Sequence, residues 1–253
     1  LRGNVWQFGL RNGSVRQVFT AADAKGNRQS ITGGIGVAFH PATRKHWVFF
    51  GTGRYLTLAD GADVSTQSWY GVEVGDGDST ITRSQLLERK ITASATTDGK
   101  PVRAFEKARP NDMRGKHGWV VDLLTPGAKP EGERMIGETQ QIIGGRTLLA
   151  ASMAPTGGGC GGSGRGYLNA IDPFTGGATS TPFFDVNGDG KIDAKDSIDG
   201  TPASSIDPGL GMITDPNVLL GKLVGGGGNG IDSQACASGA SRSEEHTSEL
   251  QSH

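Results

Sequence analysis

Residues 3–19 read GNVWQFGLRNGSVRQVF, two short apolar runs on either side of Asn12-Gly13. Trp6, Phe8 and Leu10 alternate with polar or small residues, which is the period-two pattern of a strand with one apolar face. Asn and Gly both tolerate a positive φ, so Asn12-Gly13 is a strong signal for a tight turn. The stretch predicts a β-hairpin that begins at a glycine and packs its aromatic residues into a core.

The same pattern of a glycine, an apolar strand and a glycine-containing turn recurs along the chain. Residues 118–124 lead into a turn at 125–127, and residues 166–172 lead into a turn at 173–177. Trp119 and Tyr167 of these copies lie about 48 residues apart, and a repeat of roughly 40–50 residues with four strands is typical of a propeller blade. We therefore expect an all-β propeller with about five blades in residues 1–241 and an incomplete ring.

Other segments fit the same class. Strands are predicted at residues 34–39 and 46–53 around a turn at 41–43, and a tight hairpin at 141–151 with Gly144-Gly145 at its tip. Only residues 82–92 suggest a short helix, through Leu86, Leu87 and Ile91. The spacing of about 48 residues between the repeated strands is too long for one coil of a β-solenoid. A β-sandwich would not explain the recurring glycine-aromatic strand starts.

Composition excludes several classes of protein. The 253 residues include 42 Gly and 11 Pro, which disfavours long helices, because Gly costs roughly 1 kcal/mol inside a helix. The net charge of −1 gives no electrostatic reason to expect nucleic-acid binding. No stretch approaches the roughly 20 apolar residues that a membrane span requires.

Residues 242–253, RSEEHTSELQSH, resemble the translation of a sequencing adapter. We expect this tail to be non-native and disordered, and residues 1–241 to form the partial propeller. A signal peptide would lie upstream of this segment.

The chain has two cysteines, Cys160 and Cys236, and no C-x-x-C motif. Both lie in segments rich in Gly and Ser. Two interpretations stay open, a disulfide that joins two loops or two unrelated thiols.

Residues 185–196, DVNGDGKIDAKD, carry the most informative chemical motif. Ca²⁺ takes six to eight oxygen ligands, and a tightly turning chain offers one at every second residue. We predict calcium ligation by the side chains of Asp185, Asn187, Asp189 and Asp193 and by the main-chain carbonyl of Lys191. The alternative is a metal-free surface turn, in which the carboxylates would repel one another without compensation.

Asp196 occupies the place where an EF-hand loop has a bidentate glutamate. Its side chain is one methylene shorter, so Asp196 is predicted to be a weaker ligand or none. Residues 180–184 look strand-like and residues 197–202 contain Gly and Pro, so neither flank is a helix. The motif is therefore expected to be an isolated calcium loop between strands.

Together these segments resemble the C-terminal β-propeller domain of the type IV pilus biogenesis and tip-adhesin proteins (PilY-type). The resemblance covers residues 1–241 and depends on the order of several signatures. They are NVWQF (4–8), FFGTGRYL (49–56), QSWYGV (67–72), GWVVDL (118–123), GER (132–134), GGSG (161–164) and DPFTGG (172–177), followed by the calcium loop.

The resemblance implies a quinoprotein-like propeller that is not an enzyme. It would be exported to the periplasm, outer membrane or cell surface of a Gram-negative bacterium. There the family supports pilus assembly with partners such as minor pilins by opposing retraction, and it takes part in twitching motility and surface attachment. Its calcium loop, which couples Ca²⁺ to pilus extension, corresponds to Asp185, Asn187, Asp189, Lys191 and Asp193. The adhesive N-terminal region of such proteins has no counterpart here.

A propeller dehydrogenase that uses pyrroloquinoline quinone and Ca²⁺ is the alternative. The aromatic hairpin of residues 5–8 is the shared feature. The sequence has no adjacent pair of cysteines and no evident set of acid, Arg and Asn for that cofactor. The four tryptophans, Trp6, Trp47, Trp69 and Trp119, are expected to be packed in the core rather than to stack on a ligand.

Overall fold

The computed structural model describes residues 2–75, 79–155, 164–219 and 222–237. It is all-β, with 44% strand and 4% helix, which confirms the all-β part of the predicted fold class. The strands are β1 (Asn4–Gly9), β2 (Ser14–Thr20), β3 (Gly36–Phe39), β4 (His46–Gly51), β5 (Ser68–Val74), β6 (Leu87–Arg89), β7 (Ile91–Thr97), β8 (Lys100–Phe105), β9 (Gly118–Asp122), β10 (Gln141–Ile143), β11 (Thr147–Pro155), β12 (Gly164–Ile171), β13 (Ser197–Ile198), β14 (Thr201–Pro202), β15 (Ser205–Ile206), β16 (Asn217–Leu219), β17 (Lys222–Gly227) and β18 (Gly230–Ala235). Two short 3-10 helices span Leu58–Ala62 and Arg83–Gln85.

Two large sheets organise the described residues. The five-stranded sheet has the order β3-β4-β5-β9-β6, and only its β6–β9 pair is parallel. The six-stranded sheet has the order β10-β11-β12-β15-β8-β7 and is antiparallel throughout. Smaller sheets are formed by β1-β2, β13-β14 and β16-β17-β18.

The largest aromatic core lies between the five- and six-stranded sheets. The five-stranded sheet contributes Trp47, Phe49, Trp69, Trp119 and Val121, and the six-stranded sheet contributes Phe105, Leu148, Ala150 and Ile171. Trp69 and Trp119 meet edge to face with their ring centroids 5.7 Å apart. Three of the four tryptophans are therefore core residues, as predicted.

Each large sheet has a second buried face. Strands β1 and β2 cover the outer face of the five-stranded sheet through Val5, Val18 and Phe19. Phe183, Phe184 and Val186, together with Leu223 of β17, cover the outer face of the six-stranded sheet. Successive side chains of a strand thus pack into different cores on the two faces of the sheet, as Leu148 and Leu149 do. The result is a stack of sheets packed face to face, as neighbouring blades of a propeller are.

Several predicted hairpins are confirmed. β3 pairs with β4, and β10 pairs with β11 across the Gly144-Gly145 turn. β1 pairs with β2, and the intervening turn has Gly13 at φ 66° with its N–H donating to the carbonyl of Gly9 (2.8 Å).

The apolar face of the β1–β2 hairpin does not lie in a core, contrary to prediction. Trp6 is 49% exposed and Phe8 is 63% exposed, whereas Val5 is buried. Alternation fixes which side chains share a face, but it does not decide which face meets the rest of the protein. Here the opposite face, which carries Arg16, is turned towards the end of β5.

The hairpins predicted after residues 118–124 and 166–172 do not form. β9 already pairs with β5 on one edge and β6 on the other, so the chain after it cannot fold back onto it. β12 likewise lies between β11 and β15. Only a single bridge, from Ile171 to Ala178, follows the predicted turn at residues 173–177.

The helix predicted at residues 82–92 is also wrong. The segment forms the 3-10 helix Arg83–Gln85 and then enters β6 and β7. The Gln85 side chain accepts a hydrogen bond from the N–H of Thr82 (2.9 Å), which closes the short turn. Leu86 and Ile91 are buried in different cores, on opposite sides of the five-stranded sheet, and one helical face cannot supply both.

The blade count stays a prediction. In the described residues the two large sheets contain five and six strands rather than four, and neither closes on itself. The six-stranded sheet also combines β7 and β8 with strands much later in the chain. The tail predicted at residues 242–253 lies outside the described residues.

Candidate metal centre

Residues 185–196 form an irregular loop on the outer face of the six-stranded sheet. Upstream, Phe184 makes an isolated bridge to Cys236, and downstream the chain enters the β13–β14 hairpin. That hairpin turns at Asp199 (φ 48°) and Gly200 (φ 72°). The loop is therefore flanked by strand-like segments, as predicted, and Val186 anchors it by packing among the core residues.

Asp196 joins the two ends of the loop. Its Oδ1 accepts hydrogen bonds from the N–H groups of Val186 (2.8 Å) and Asn187 (3.3 Å), and its Oδ2 accepts one from Asp193 (2.9 Å). The side chain is fully buried. A buried carboxylate with three backbone donors acts as a structural clasp, a role that the sequence did not reveal.

The other predicted ligands accept hydrogen bonds from the loop's own backbone. Asp185 accepts from Gly188 (2.8 Å) and Gly190 (2.9 Å), so the chain wraps around its carboxylate. Asn187 accepts from Asp189 (2.9 Å), and Asp189 in turn accepts from the N–H of Lys191 (2.9 Å).

Asp193 has the same local pattern and accepts from the N–H of Lys195 (2.8 Å). Gly188 and Gly190 have φ values of 72° and 80°, and this left-handed conformation makes the tight winding possible. Gly188, Asp189, Gly190 and Lys191 are all exposed, so the loop presents its polar atoms to solvent.

These side chains are close in sequence but do not converge on one point. Within the described ranges, no group of three or more His, Cys, Asp or Glu side chains is arranged to hold a metal ion. The donor set itself suits Ca²⁺, because it consists of carboxylate, amide and main-chain oxygens. Asp189 and Asp193 each use only Oδ1 for a backbone hydrogen bond, and an ionised carboxylate has about four acceptor positions, so both could also ligate a cation. Their exposed or half-buried positions leave room for that.

The structure adds one acidic residue that the sequence analysis missed. Asp98 lies at the tip of the β7–β8 hairpin, with φ 49°, and is followed by Gly99. A Cβ placed on Gly188 would lie only 2.8 Å from Asp98 Oδ2, so the hairpin tip touches the loop. The Asp-Gly turn was a recognisable hairpin signal, but its proximity to a loop ninety positions away depends on the tertiary fold.

An open groove of about 840 Å³ runs beside the loop. Its lining includes Ile192 and Asp193 of the loop, Lys107, and Pro182. Lys107 donates to the carbonyl of Gly200 (2.6 Å), which ties the groove wall to the β13–β14 hairpin. Ile192 and Asp193 thus make the loop part of one wall of this groove.

A second polar cluster bears on the quinone alternative. Arg103 and Glu133 form a bidentate ion pair (2.6 and 2.9 Å), and Asn169, Ser152 and Ser205 complete the hydrogen-bonding network. All five side chains are buried. They bond to one another, and the cavity that Glu133 helps to line measures only about 10 Å³, so the cluster serves as an internal brace.

Burial opposes ionisation of Glu133, but the Arg103 guanidinium outweighs it and holds the pKa of Glu133 below its usual value. Arg103 also lies over the ring of Tyr167, 3.5 Å from the ring centroid. These contacts keep both charges of the pair in place inside the six-stranded sheet.

Of the two cysteines, Cys236 is buried beneath the loop, and burial raises the pKa of its thiol to about 11. Cys160 lies outside the described residues, so both interpretations, a disulfide or two unrelated thiols, stay open.

Comparison with known proteins shows where this chain belongs. A type IV pilus biogenesis factor PilY1 homologue of Xylella fastidiosa is 33% identical over 229 residues, which is 88% of this chain and 18% of that protein. This chain is homologous to part of PilY1. Pseudomonas aeruginosa PilY1 is 27% identical over 238 residues, 77% of the chain and 20% of the protein. The chain thus spans about a fifth of these PilY1 proteins.

The fold agrees with that relationship. The crystal structure of the P. aeruginosa PilY1 C-terminal domain, a β-propeller, superimposes with a TM-score of 0.72 at 23% identity. The match covers 94% of the chain and 56% of the PilY1 domain. No protein-family model matches the sequence. Among the residues that the structure describes, no helix has the length and apolar character needed to cross a bilayer.

Proposed function

We propose that the chain is a calcium-binding segment of a PilY1-type protein that supports type IV pilus assembly by opposing retraction. The observation that carries the pilus role is the 33% identity to a PilY1 homologue over 88% of the chain. The matching PilY1-domain fold supports the same assignment. Because those relatives are pilus biogenesis factors, a non-enzymatic role fits the chain.

Twitching motility and surface attachment would follow from pilus assembly, with pilus components such as minor pilins as partners. Export to the periplasm, outer membrane or cell surface of a Gram-negative bacterium is part of the same proposal. Extracellular Ca²⁺ near millimolar would fill even a site with a dissociation constant of about 10⁻⁴–10⁻³ M.

The calcium proposal depends on the loop of residues 185–196. Asp185, Asn187, Asp189, Asp193 and the Lys191 carbonyl would hold the ion, and a bound Ca²⁺ would supply positive charge that offsets the carboxylates. Asp196, whose oxygens already accept three backbone hydrogen bonds, would position the loop, with direct ligation as the alternative.

A conformational change of the loop on Ca²⁺ binding would reach the rest of the protein through two anchoring residues. The loop is joined through Val186 to the core and through Asp196 to the start of β13. When the carboxylates of Asp185 and Asp189 converge, the exposed part of the loop loses its freedom while these anchors stay in place. The wall of the adjacent groove, including Ile192, would then be fixed in one conformation suited to a partner.

Calorimetry tests the metal site directly. CaCl₂ titrated into the wild-type chain should release or absorb heat with a single-site isotherm, and Asp189→Ala should abolish it. Lys191→Ala is the matched control, since its predicted contribution is a main-chain carbonyl and the variant should still bind. Equal binding by wild type and Asp189→Ala would refute the assignment.

The pilus role needs the full-length protein. A strain that lacks the gene should regain surface pili and twitching when it is complemented with the wild-type gene, and lose both with Asp189→Ala. If the null strain pilates normally, the pilus proposal fails even where calorimetry succeeds.

A further inference from the structure

The chain contains three pairs in which a glycine directly follows an asparagine. They are Asn12-Gly13, Asn187-Gly188 and Asn229-Gly230. In such a pair the main-chain nitrogen of the glycine can attack the side-chain amide carbon of the asparagine, because the two atoms are held close together and no Cβ shields the nitrogen. The attack closes a succinimide ring and expels the side-chain nitrogen, which is deamidation. The groups that the fold places around the reacting atoms differ among the three pairs.

At Asn187 the attacking nitrogen has a carboxylate beside its hydrogen. The N–H of Gly188 donates to Asp185 Oδ1 (2.8 Å). A carboxylate in that position can accept the amide proton while the nitrogen forms its new bond, which is the role of a positioned general base. The other oxygen of Asp185 accepts from the N–H of Gly190 (2.9 Å), so hydrogen bonds hold the carboxylate through both oxygens.

The attacked amide of Asn187 is polarised as well. Its Oδ1 accepts a hydrogen bond from the N–H of Asp189 (2.9 Å). Negative charge develops on this oxygen when the nitrogen of Gly188 adds to the amide carbon, and a donor already directed at the oxygen stabilises that charge. Gly188 and Asp189 are exposed and Asn187 is half-buried, so water has access to the reacting atoms.

Asn12 has the donor but lacks the base. Its Oδ1 accepts from the N–H of Ser14 (3.1 Å), as the side chain of Asn187 does from its own loop. The N–H of Gly13, however, donates to the carbonyl of Gly9 (2.8 Å), and a neutral carbonyl is a far weaker base than a carboxylate.

Asn229 has a different arrangement again. Its side chain donates through Nδ2 to the carbonyl of Gly209 (3.2 Å), and within the described ranges no donor is bonded to its Oδ1. Of the three pairs, Asn187-Gly188 therefore combines a carboxylate on the nucleophile with a donor on the developing oxyanion.

We propose that Asn187 deamidates itself, with the base and the oxyanion donor supplied by its own loop. The nitrogen of Gly188 forms a bond to Asn187 Cγ, its proton passes by way of Asp185 to the departing Nδ2, and ammonia leaves. Water then opens the succinimide at either carbonyl, which gives aspartate or isoaspartate at position 187. Water is the only co-reactant, and no group is oxidised or reduced.

Either product changes the loop as a binding site. Both place an additional negative charge between Asp185 and Asp189, and isoaspartate also adds a methylene to the main chain. That extra atom disrupts the spacing of one oxygen at every second residue. Conversely, a bound Ca²⁺ would engage the oxygens of Asp185 and Asn187 and slow the reaction; this protection rests on the proposed calcium function, whereas the deamidation does not.

Peptide mapping by mass spectrometry tests the proposal. The wild-type chain is incubated at neutral pH in EDTA, and conversion at each Asn-Gly pair is followed over time. Asn187 should be converted roughly tenfold faster than Asn12, which is the internal control with a donor but no carboxylate. Asp185→Asn keeps an oxygen acceptor for Gly188 but removes the base, and it should lower the rate at Asn187 to that of Asn12. Fragment ions separate position 187 from the new amide at position 185.

Two results would overturn the proposal. One is equal conversion of Asn187 and Asn12 in the wild-type chain, a comparison that needs no substitution. The other is an unchanged rate at Asn187 in a folded Asp185→Asn variant.

A further incubation separates this proposal from the calcium site. With CaCl₂ in place of EDTA, conversion of Asn187 should slow while that of Asn12 stays the same. Fast conversion of Asn187 in both solutions would support the deamidation and contradict the calcium site, so the two proposals fail independently.

Discussion

Asp196 holds the two ends of the loop of residues 185–196 together. From sequence it looks like a shortened form of the EF-hand glutamate, yet its carboxylate is buried and bonded to the N–H groups of Val186, Asn187 and Asp193. A residue at a ligand position thus has a structural role that does not depend on metal.

We predict that Asp196→Ala lowers the free energy of unfolding by about 1–3 kcal/mol in the presence of a chelator, because buried N–H donors lose their acceptor. Urea unfolding in EDTA measures this. Asp199→Asn, an exposed change in the following turn, should stay within about 0.5 kcal/mol of wild type. A loss seen only when Ca²⁺ is present would assign Asp196 to ligation instead.

Glu133 gives a second residue-scale prediction. Glu133→Gln should cost about 3–5 kcal/mol of unfolding free energy, since Arg103 would remain buried without its counter-charge. Glu131→Gln is the matched control, because Glu131 pairs with Arg165 at the surface and its loss should cost under about 1 kcal/mol. Denaturant titration measures the unfolding free energy of both variants. Equal losses in the two variants would contradict the assigned role of the buried pair.

Among the elements, the packing of Trp119 in β9 explains two glycines of the sequence signatures. A Cβ on Gly71 of the neighbouring β5 would lie 2.4 Å from Trp119 Cε2, and one on Gly176 would lie 2.4 Å from its Cδ2. The indole N–H donates to the carbonyl of Pro173 (2.8 Å), which fixes the ring between them. The QSWYGV and DPFTGG signatures therefore both pack against one side chain.

Gly71→Ala should accordingly destabilise the protein by about 1–3 kcal/mol through overpacking against the indole. Gly75→Ala, just beyond the end of the same strand, is the control, because a Cβ there has no atom within 4 Å. The midpoint temperatures of thermal unfolding of the two variants are compared. A Gly71→Ala protein as stable as Gly75→Ala would show that the ring can shift at no cost.

For the whole molecule, the carboxyl pKa values predict acid sensitivity. Hydrogen bonds to Asp60 from the backbone of Leu56 and Thr57, with the nearby Arg54, lower its pKa to about 2, and the pKa of Glu133 also lies below its usual value. Such groups bind fewer protons when folded, so their stabilisation is present above about pH 4.5 and is lost as the pH falls towards 2. Asp207 opposes this trend, because burial raises its pKa.

Urea midpoints measured from pH 7 down to pH 3 should therefore decrease at the acid end. Asp60→Asn should flatten that decrease, since the substituted side chain no longer titrates. An unchanged slope in this variant would mean that other carboxyls govern the acid transition.

The all-β class, the β1–β2, β3–β4 and β10–β11 hairpins and the loop between strand-like flanks were predictable, because each depends on neighbours in the chain. Period-two patterns and Asn-Gly or Gly-Gly turns are local properties of the backbone and its side chains. The order of signatures also indicated the relationship to PilY1 before any coordinates. The calcium ligands themselves stay a prediction, since the motif specifies oxygen atoms but not their convergence.

Only the tertiary structure decided which surfaces meet. Trp6 and Phe8 face solvent while Trp119 is buried, although all three lie in similar apolar runs that start at a glycine, because burial depends on which sheet lies opposite. Asp98 touches the loop, and β9 pairs with β5 and β6 rather than with its successor, through contacts distant in sequence. Local pattern determines the shape of each strand, whereas strand pairing and sheet stacking are set by the sum of many non-local contacts, which no single stretch of sequence contains.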